Sequence, residues 1–272
     1  MSIAEGSKGN FLAANTVGLN DLHLARFEKL KEYRRDNVDF DGFEETLYGE
    51  FVQYLNEQTK SINEVNHYVR YCSVFRMIYS ELKQGEKIGE AGGFSAVSKF
   101  LVDKGFDCVV LHGDLRYEIR HPDNQLDTIF SFETLEHIKD HNSDAMGQIV
   151  VFNFSGMKTY ISEMARTLKP EGRLMLTTPN PHSLLVMNNF LRFNPVFMAP
   201  VHVRELTKSE ILELMAPYFD TDNYEYSTMD CYQLLNAPYQ ALRPALHETL
   251  TTLGADTDGR GDCHYFNIRK KK

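Results

Sequence analysis

From Lys87 onward the chain alternates short apolar runs with helix-patterned stretches, and this alternation restricts the fold more than any other feature. Lys87-Ile88-Gly89-Glu90 reads as a strand entering a glycine-rich turn. Ser95 to Lys104 reads as a helix with Val97, Phe100 and Leu101 facing inward, closed by Gly105. Cys108 to Leu111 is a second strand, and Asp127 to Phe132, after the breaker Pro122-Asp123-Asn124, a third. Phe154 to Leu168 is an amphipathic helix ahead of Pro170-Glu171-Gly172. Arg173 to Thr178 is a fourth strand, stopped by Pro179-Asn180-Pro181, and Arg260 to Ile268 a last one. Alternation of this kind predicts an α/β fold with a doubly wound, mostly parallel sheet.

The first part of the chain has a different texture. Residues 1–19 are rich in Ser, Gly and Asn and carry no periodic pattern. Between Leu22 and Leu82, Phe27, Leu30 and Tyr33, then Phe51, Tyr54 and Leu55, recur at helical spacing with no strand signal. The expected division is an N-terminal helical layer over 1–84, acting as a cover or a lid, and a ligand-binding domain over 85–272.

Composition narrows the partners. A net charge of −9 disfavours a nucleic acid as the main partner. No apolar run reaches the length of a membrane span, and residues 1–20 lack a secretion signal, so a cytoplasmic protein with no membrane contact is expected. Cys72, Cys108, Cys231 and Cys263 form no C-x-x-C pair and read as reduced thiols.

Two places concentrate chemistry. Glu133-Thr134-Leu135-Glu136-His137 follows the third strand, at the carboxyl end where open α/β sheets bind ligands. Gly89-Glu90-Ala91-Gly92-Gly93-Phe94-Ser95 joins the first strand to the first helix of the sheet. Glycines there let the backbone approach a ligand above a helix N-terminus. The turn is not G-x-G-x-x-G, which disfavours a nicotinamide or flavin.

The order of these parts over 86–182 resembles the class I S-adenosylmethionine-dependent methyltransferases. The matching pieces are Glu90 to Ser95, Pro122 to Asp127 leading to Ser131-Phe132-Glu133, then Glu136-His137, Glu163 to Leu174 and Thr177-Thr178-Pro179-Asn180. The resemblance implies a Rossmann-like fold that binds S-adenosylmethionine. Glu90, Ala91, Gly92 and Gly93 would hold its methionine end, Asp114 its ribose, and Phe132 and Glu133 would line the floor. Only thirteen positions separate Asp114 from Asp127, so the fold would be abridged there.

Glu133, Glu136 and His137, followed by His202-Val203-Arg204-Glu205-Leu206-Thr207, also look like the metal-binding pattern of small-RNA 3′-end 2′-O-methyltransferases. In part they resemble the ubiquinone-pathway O-methyltransferases. That likeness implies a divalent ion (Mg, Mn, Fe, Co or Zn) on Glu133, Glu136, His137 and His202. The alternative is metal-free, with His137 as catalytic base and Glu136 beside it. The implied activity is methyl transfer to an oxygen of a small-molecule acceptor such as a polar metabolite, sugar or natural-product intermediate. N-methylation, or a cofactor-binding but inactive subunit, remains the alternative. The segment 142–155, with apolar Ile149-Val150-Val151-Phe152, is expected to serve specificity or a homo-oligomer contact.

Overall fold

A computed structural model describes residues 19–39, 46–141, 153–194, 201–232 and 234–272. The expectations for residues 1–18 and for 142–152 of the apolar insertion therefore lie outside the described residues. The chain forms two compact units, one from 1–82 with 231–240, the other from 83–230 with 241–272.

In the first unit, helices α1 (Asp21–Asn37), α2 (Leu47–Gln58) and α3 (Ile62–Ile78) account for the periodic aromatics. Each start is capped by a side chain, from Asn20, Thr46 and Ser61. At Ser61 the cap is reciprocal, with Glu64 returning a carboxylate to the backbone. Phe51 packs on Phe75 with ring centroids 4.3 Å apart, and Phe27 meets Tyr68 edge-on at 5.0 Å.

The second unit is a six-stranded sheet with helices against it, the α/β arrangement expected from the alternation. Strands β1 (Lys87–Ala91), β2 (Asp107–Leu111), β3 (Leu126–Phe132), β4 (Leu168–Pro179), β5 (Phe219–Met229) and β6 (Cys263–Lys270) lie in the order β2-β1-β3-β4-β6-β5. All neighbours are parallel up to β4, and β6 runs antiparallel to both β4 and β5. Helices α4 (Ala96–Asp103), α5 (Ser155–Thr167), α6 (Leu184–Leu191), α7 (Lys208–Met215) and α8 (Ala237–Thr252) complete the element order. From β1 the chain passes through α4 to β2 on one side, then returns to β3 on the other. The crevice at the carboxyl ends of β1 and β3 is therefore the topological switch point.

Sequence reasoning did not find β5. Its run Asp220-Thr221-Asp222-Asn223 is polar, and half-buried Tyr224, Tyr226 and Thr228 alternate only along its second half. No helix occupies the abridged connection between β2 and β3. Instead Arg166 of α5 braces it, donating to the carbonyls of Ile119 at 2.7 Å and His121 at 2.9 Å, while Glu163 accepts the Ile119 N–H at 2.9 Å. Glu163 and Arg166 of the sequence motif thus hold a loop that carries no regular structure. Apolar side chains of β3, β4 and β6, among them Ile129, Leu174, Leu176 and Phe266, form one core with Met157, Ile161 and Met164 of α5 and Ile211 and Met215 of α7.

Candidate functional site

The glycine-rich turn lies at the carboxyl end of β1. Gly92 and Gly93 have φ of 90° and 111°, a region L side chains rarely enter. A Cβ on Gly92 would stand 2.7 Å from Thr134 Oγ1, so the turn is pressed against the segment after β3. A Cβ on Gly93 would meet nothing within 4 Å, which leaves this backbone open to an incoming group. Ala91 is buried, and its carbonyl accepts the Thr134 hydroxyl at 3.3 Å. Glu90, 2% exposed, accepts the N–H of Ser95, the residue capping α4, at 2.9 Å. Burial pushes the Glu90 carboxyl up to about 7, against hydrogen bonds from Ser98 and Ser95 that pull it down.

Asp114 lies beyond β2 at the surface, and Arg116 occupies both its oxygens, Nε to Oδ1 at 2.9 Å and Nη2 to Oδ2 at 2.7 Å. Those bonds hold its carboxyl below the usual range. An acceptor role towards a ribose would require Arg116 to give up this fork.

After β3 the chain turns sharply. Glu133 takes φ of 50°, its N–H bonded to the Thr177 carbonyl at 2.9 Å, and a single 3-10 turn then covers Leu135–His137. Helical geometry begins too late to put Glu133 on one face with Glu136 and His137. Its carboxylate instead accepts the Cys263 thiol at 3.6 Å. Phe132 stacks on Phe130 at 5.1 Å and is half-buried.

Glu136 is fully buried, and Thr178 at the end of β4 donates to its Oε2 at 3.0 Å. The Glu136 carbonyl accepts the Val203 N–H at 2.8 Å, which draws the segment carrying His202 alongside the turn. His137 and His202 meet edge-to-face with centroids 4.9 Å apart. One ligand atom each from Glu136, His137 and His202 fall within 4.8 Å of one another, and Glu133 is outside that group.

The partners of the two imidazoles define their free nitrogens. Nδ1 of His202 lies 2.6 Å from Glu205 Oε1, and Nδ1 of His137 lies 3.4 Å from the Val201 carbonyl. A carbonyl or carboxylate only accepts, so in both rings Nδ1 is the donor, and in a neutral ring Nε2 then carries the lone pair. A carboxylate or carbonyl behind each imidazole is the arrangement that orients metal-binding histidines. Nε2 of His137 is 3.9 Å from Glu136 Oε1. Burial and the neighbouring His202 hold the His137 pKa below its usual value. Glu205, Thr178 and Thr134 are the supporting residues that sequence reasoning did not assign. The i,i+3 spacing of His202 and Glu205 was a usable signal for the first.

No protein-family model matches the chain. It is 26% identical over 175 residues to a Mycolicibacterium smegmatis protein named Probable S-adenosylmethionine-dependent methyltransferase. The match covers 56% of this chain and 58% of that relative, so the chain spans little more than half its length. Among solved structures, a SAM dependent methyltransferase from Archaeoglobus fulgidus superposes with a TM-score of 0.49 at 14% identity, over 83% of this chain and 100% of that one. The PH0226 protein from Pyrococcus horikoshii gives 0.45 at 15% identity, over 89% and 99%.

Proposed function

We propose that the chain transfers a methyl group from S-adenosylmethionine to an oxygen of a small-molecule acceptor, with a divalent ion held by Glu136, His137 and His202. The observation that carries the metal is the cluster of one ligand atom each from His137, His202 and the buried Glu136 within 4.8 Å of one another, with the Nδ1 atoms of both imidazoles engaged from behind. The donor set of two nitrogens and one oxygen suits Zn, Fe, Co or Mn better than an all-oxygen ion such as Mg. When bound, such an ion would supply Lewis acidity that lowers the pKa of an acceptor hydroxyl.

Support for the methyl donor comes from the switch-point crevice. The exposed backbone of Gly93 and the buried carboxylate of Glu90 suit the amino-acid end of the cofactor. Its ammonium group would complete the charge that burial disfavours on Glu90. Phe132, at the end of β3, would lie along the floor. In the transfer, a lone pair on the acceptor oxygen attacks the methyl carbon in line as the carbon–sulfur bond breaks. S-adenosylhomocysteine would leave, and the hydroxyl proton would pass to solvent or, in the metal-free case, to His137 Nε2. Positioning is the main catalytic need in such a displacement.

A second reading has its own support. His137 is 40% exposed on its side chain and its depressed pKa keeps it neutral near pH 7, as a metal-free base taking the proton on Nε2 must be. Calorimetry with S-adenosylmethionine and S-adenosylhomocysteine, followed by methyl transfer over a panel of oxygen and nitrogen acceptors with and without chelator, tests these readings. Absence of binding to either cofactor form would overturn both. Binding without transfer to any acceptor would favour an inactive subunit.

A further inference from the structure

A cavity of about 590 Å³ lies on the same face of the sheet as the Glu136 carboxylate, within the size range of small-molecule sites. Its position follows from strand register. Thr178, which donates to Glu136, pairs with His264 on β6, and His264 pairs in turn with Thr228 on β5. Directly paired antiparallel residues put their side chains on one face. His264 and Thr228 line the cavity, as do Asn180, two residues beyond Thr178, and Tyr226, whose hydroxyl lies 3.0 Å from His264 Nδ1. The cavity therefore begins one strand away from Glu136.

Two cations face it. Lys208 Nζ sits 4.0 Å from the centroid of the Tyr226 ring, and Arg260 comes from the loop ahead of β6. Arg260 bonds to backbone carbonyls alone: Nε and Nη2 to Asp256 at 2.9 and 2.6 Å, and Nη1 to His182 at 3.0 Å. A guanidinium has five N–H donors, so two remain for a ligand. Neither Lys208 nor Arg260 has a carboxylate partner among the described residues. Asp256 and Asp258 line the cavity too, but both are exposed, where water screens their charge, and Asp256 Oδ1 already accepts the Asp258 N–H at 2.9 Å. The half-buried surface thus carries the two cations, and the exposed rim the two carboxylates. Asn180 keeps the loop in place, its amide nitrogen donating to the carbonyls of Gly259 at 2.9 Å and Gly261 at 2.8 Å.

We propose that this cavity binds a small molecule bearing a carboxylate or phosphate group, with the anion held by Lys208 and Arg260. That this molecule is the methyl acceptor rests on the function proposed above; the binding itself does not. Calorimetric titration of the full chain, without cofactor or metal, would use inorganic phosphate in one arm and malonate in the other. The arm with the tighter binding identifies the anion. Saturable one-to-one binding is expected, weakened about tenfold or more by Lys208→Gln and by Arg260→Gln, each removing a charge-assisted bond. Lys208→Arg keeps the charge and should keep most of the affinity, which separates loss of charge from loss of fold. Absence of saturable binding of both probes at millimolar concentration would overturn the proposal. So would equal affinity in the wild type and in both folded Gln variants.

Discussion

The Thr178 hydroxyl donates to Glu136 Oε2 at 3.0 Å, tying the end of β4 to the turn after β3 beneath the paired imidazoles. Both residues are buried, Glu136 completely. The contact fixes which carboxylate oxygen faces β4 and which faces His137, whose Nε2 is 3.9 Å from Oε1.

Replacing Thr178 with Val keeps the shape and removes the donor from a buried carboxylate. The cost in unfolding free energy should be about 1–3 kcal/mol, measured by urea denaturation. Thr178→Ser should restore most of it. Wild-type stability in the Val variant would show that Glu136 does not depend on this bond.

Gly92→Ala places a Cβ 2.7 Å from Thr134 Oγ1 at a φ of 90°, so it combines a clash with backbone strain. Gly93→Val meets no neighbour at its Cβ but carries backbone strain at a φ of 111°, and projects into the space assigned to the cofactor. Both variants should lower the melting temperature, Gly92→Ala through clash and strain and Gly93→Val through strain alone. Gly93→Val should abolish S-adenosylhomocysteine binding in calorimetry while the fold persists. Full affinity in the Gly93 variant would remove this turn from the site.

Much of this arrangement could be read from sequence, for identifiable reasons. Strands β3 and β4 carry the apolar clusters Ile129-Phe130 and Leu174-Met175-Leu176, and β1 runs into a glycine-rich turn, and such local signals are read from the sequence directly. The polar edge strand β5 was hidden because its burial comes from β6 and from Lys208 lying over Tyr226, not from its own hydrophobicity. At the site, the resemblance implied Glu133, Glu136, His137 and His202 as one ligand set, and the spacing of the first three assumed that a helix began at Glu133. The left-handed residue there delays the turn by two positions and sends the Glu133 carboxylate towards Cys263. Thr178 on Glu136 and Tyr226 on His264 join residues 42 and 38 positions apart, and only strand register reveals such pairs.

If Glu90 receives the ammonium group of the cofactor, binding is coupled to pH. Its folded pKa of about 7 exceeds the ordinary 4.5, so the proton stays on in the empty protein where an exposed glutamate would have lost it. For stability, the folded state binds more protons than the unfolded state between these values, so this group's contribution is full below about 4.5 and is lost as pH rises to about 7. For binding, an ammonium group needs the ionised carboxylate. S-adenosylhomocysteine should therefore bind more tightly at pH 8 than at pH 6 and release a proton at pH 6, seen as buffer-dependent heat in calorimetry. Glu90→Gln should remove the proton release. Buffer-independent heats in the wild type would exclude Glu90 as the acceptor.

His264 gives the opposite slope. It is 2% exposed, and burial lowers its pKa from 6.5 to about 4. Between these values the unfolded state binds the extra proton, so this contribution is full above 6.5 and is lost as pH falls towards 4. The loss should be on the order of 3 kcal/mol across that window, at 1.36 kcal/mol per pKa unit. Urea denaturation at pH 7 and pH 4.5 should show a smaller difference in His264→Gln than in the wild type. An equal difference in both would mean that another group sets the acid limb.

The metal reading makes the most divided prediction. If Glu136, His137 and His202 hold a divalent ion, chelator should abolish methyl transfer and an added ion should restore it. His137→Ala and His202→Ala each remove one of three protein ligands and should raise the metal concentration needed for activity sharply. Glu205→Gln leaves the ligands in place and weakens the partner behind His202, 2.6 Å away. Loss of such a partner costs about 10–100-fold in metal affinity, measurable by competition with a chromogenic chelator even without turnover. Ligation needs neutral imidazoles, so metal affinity should fall as the pH drops through the histidine range. A metal-free His137 base predicts a similar acid limb in activity, no effect of chelator and near-normal turnover in His202→Ala. Full activity in chelator, together with an active His202→Ala enzyme, would overturn the metal site and leave the proposed cofactor site at Glu90 and Gly93 untouched.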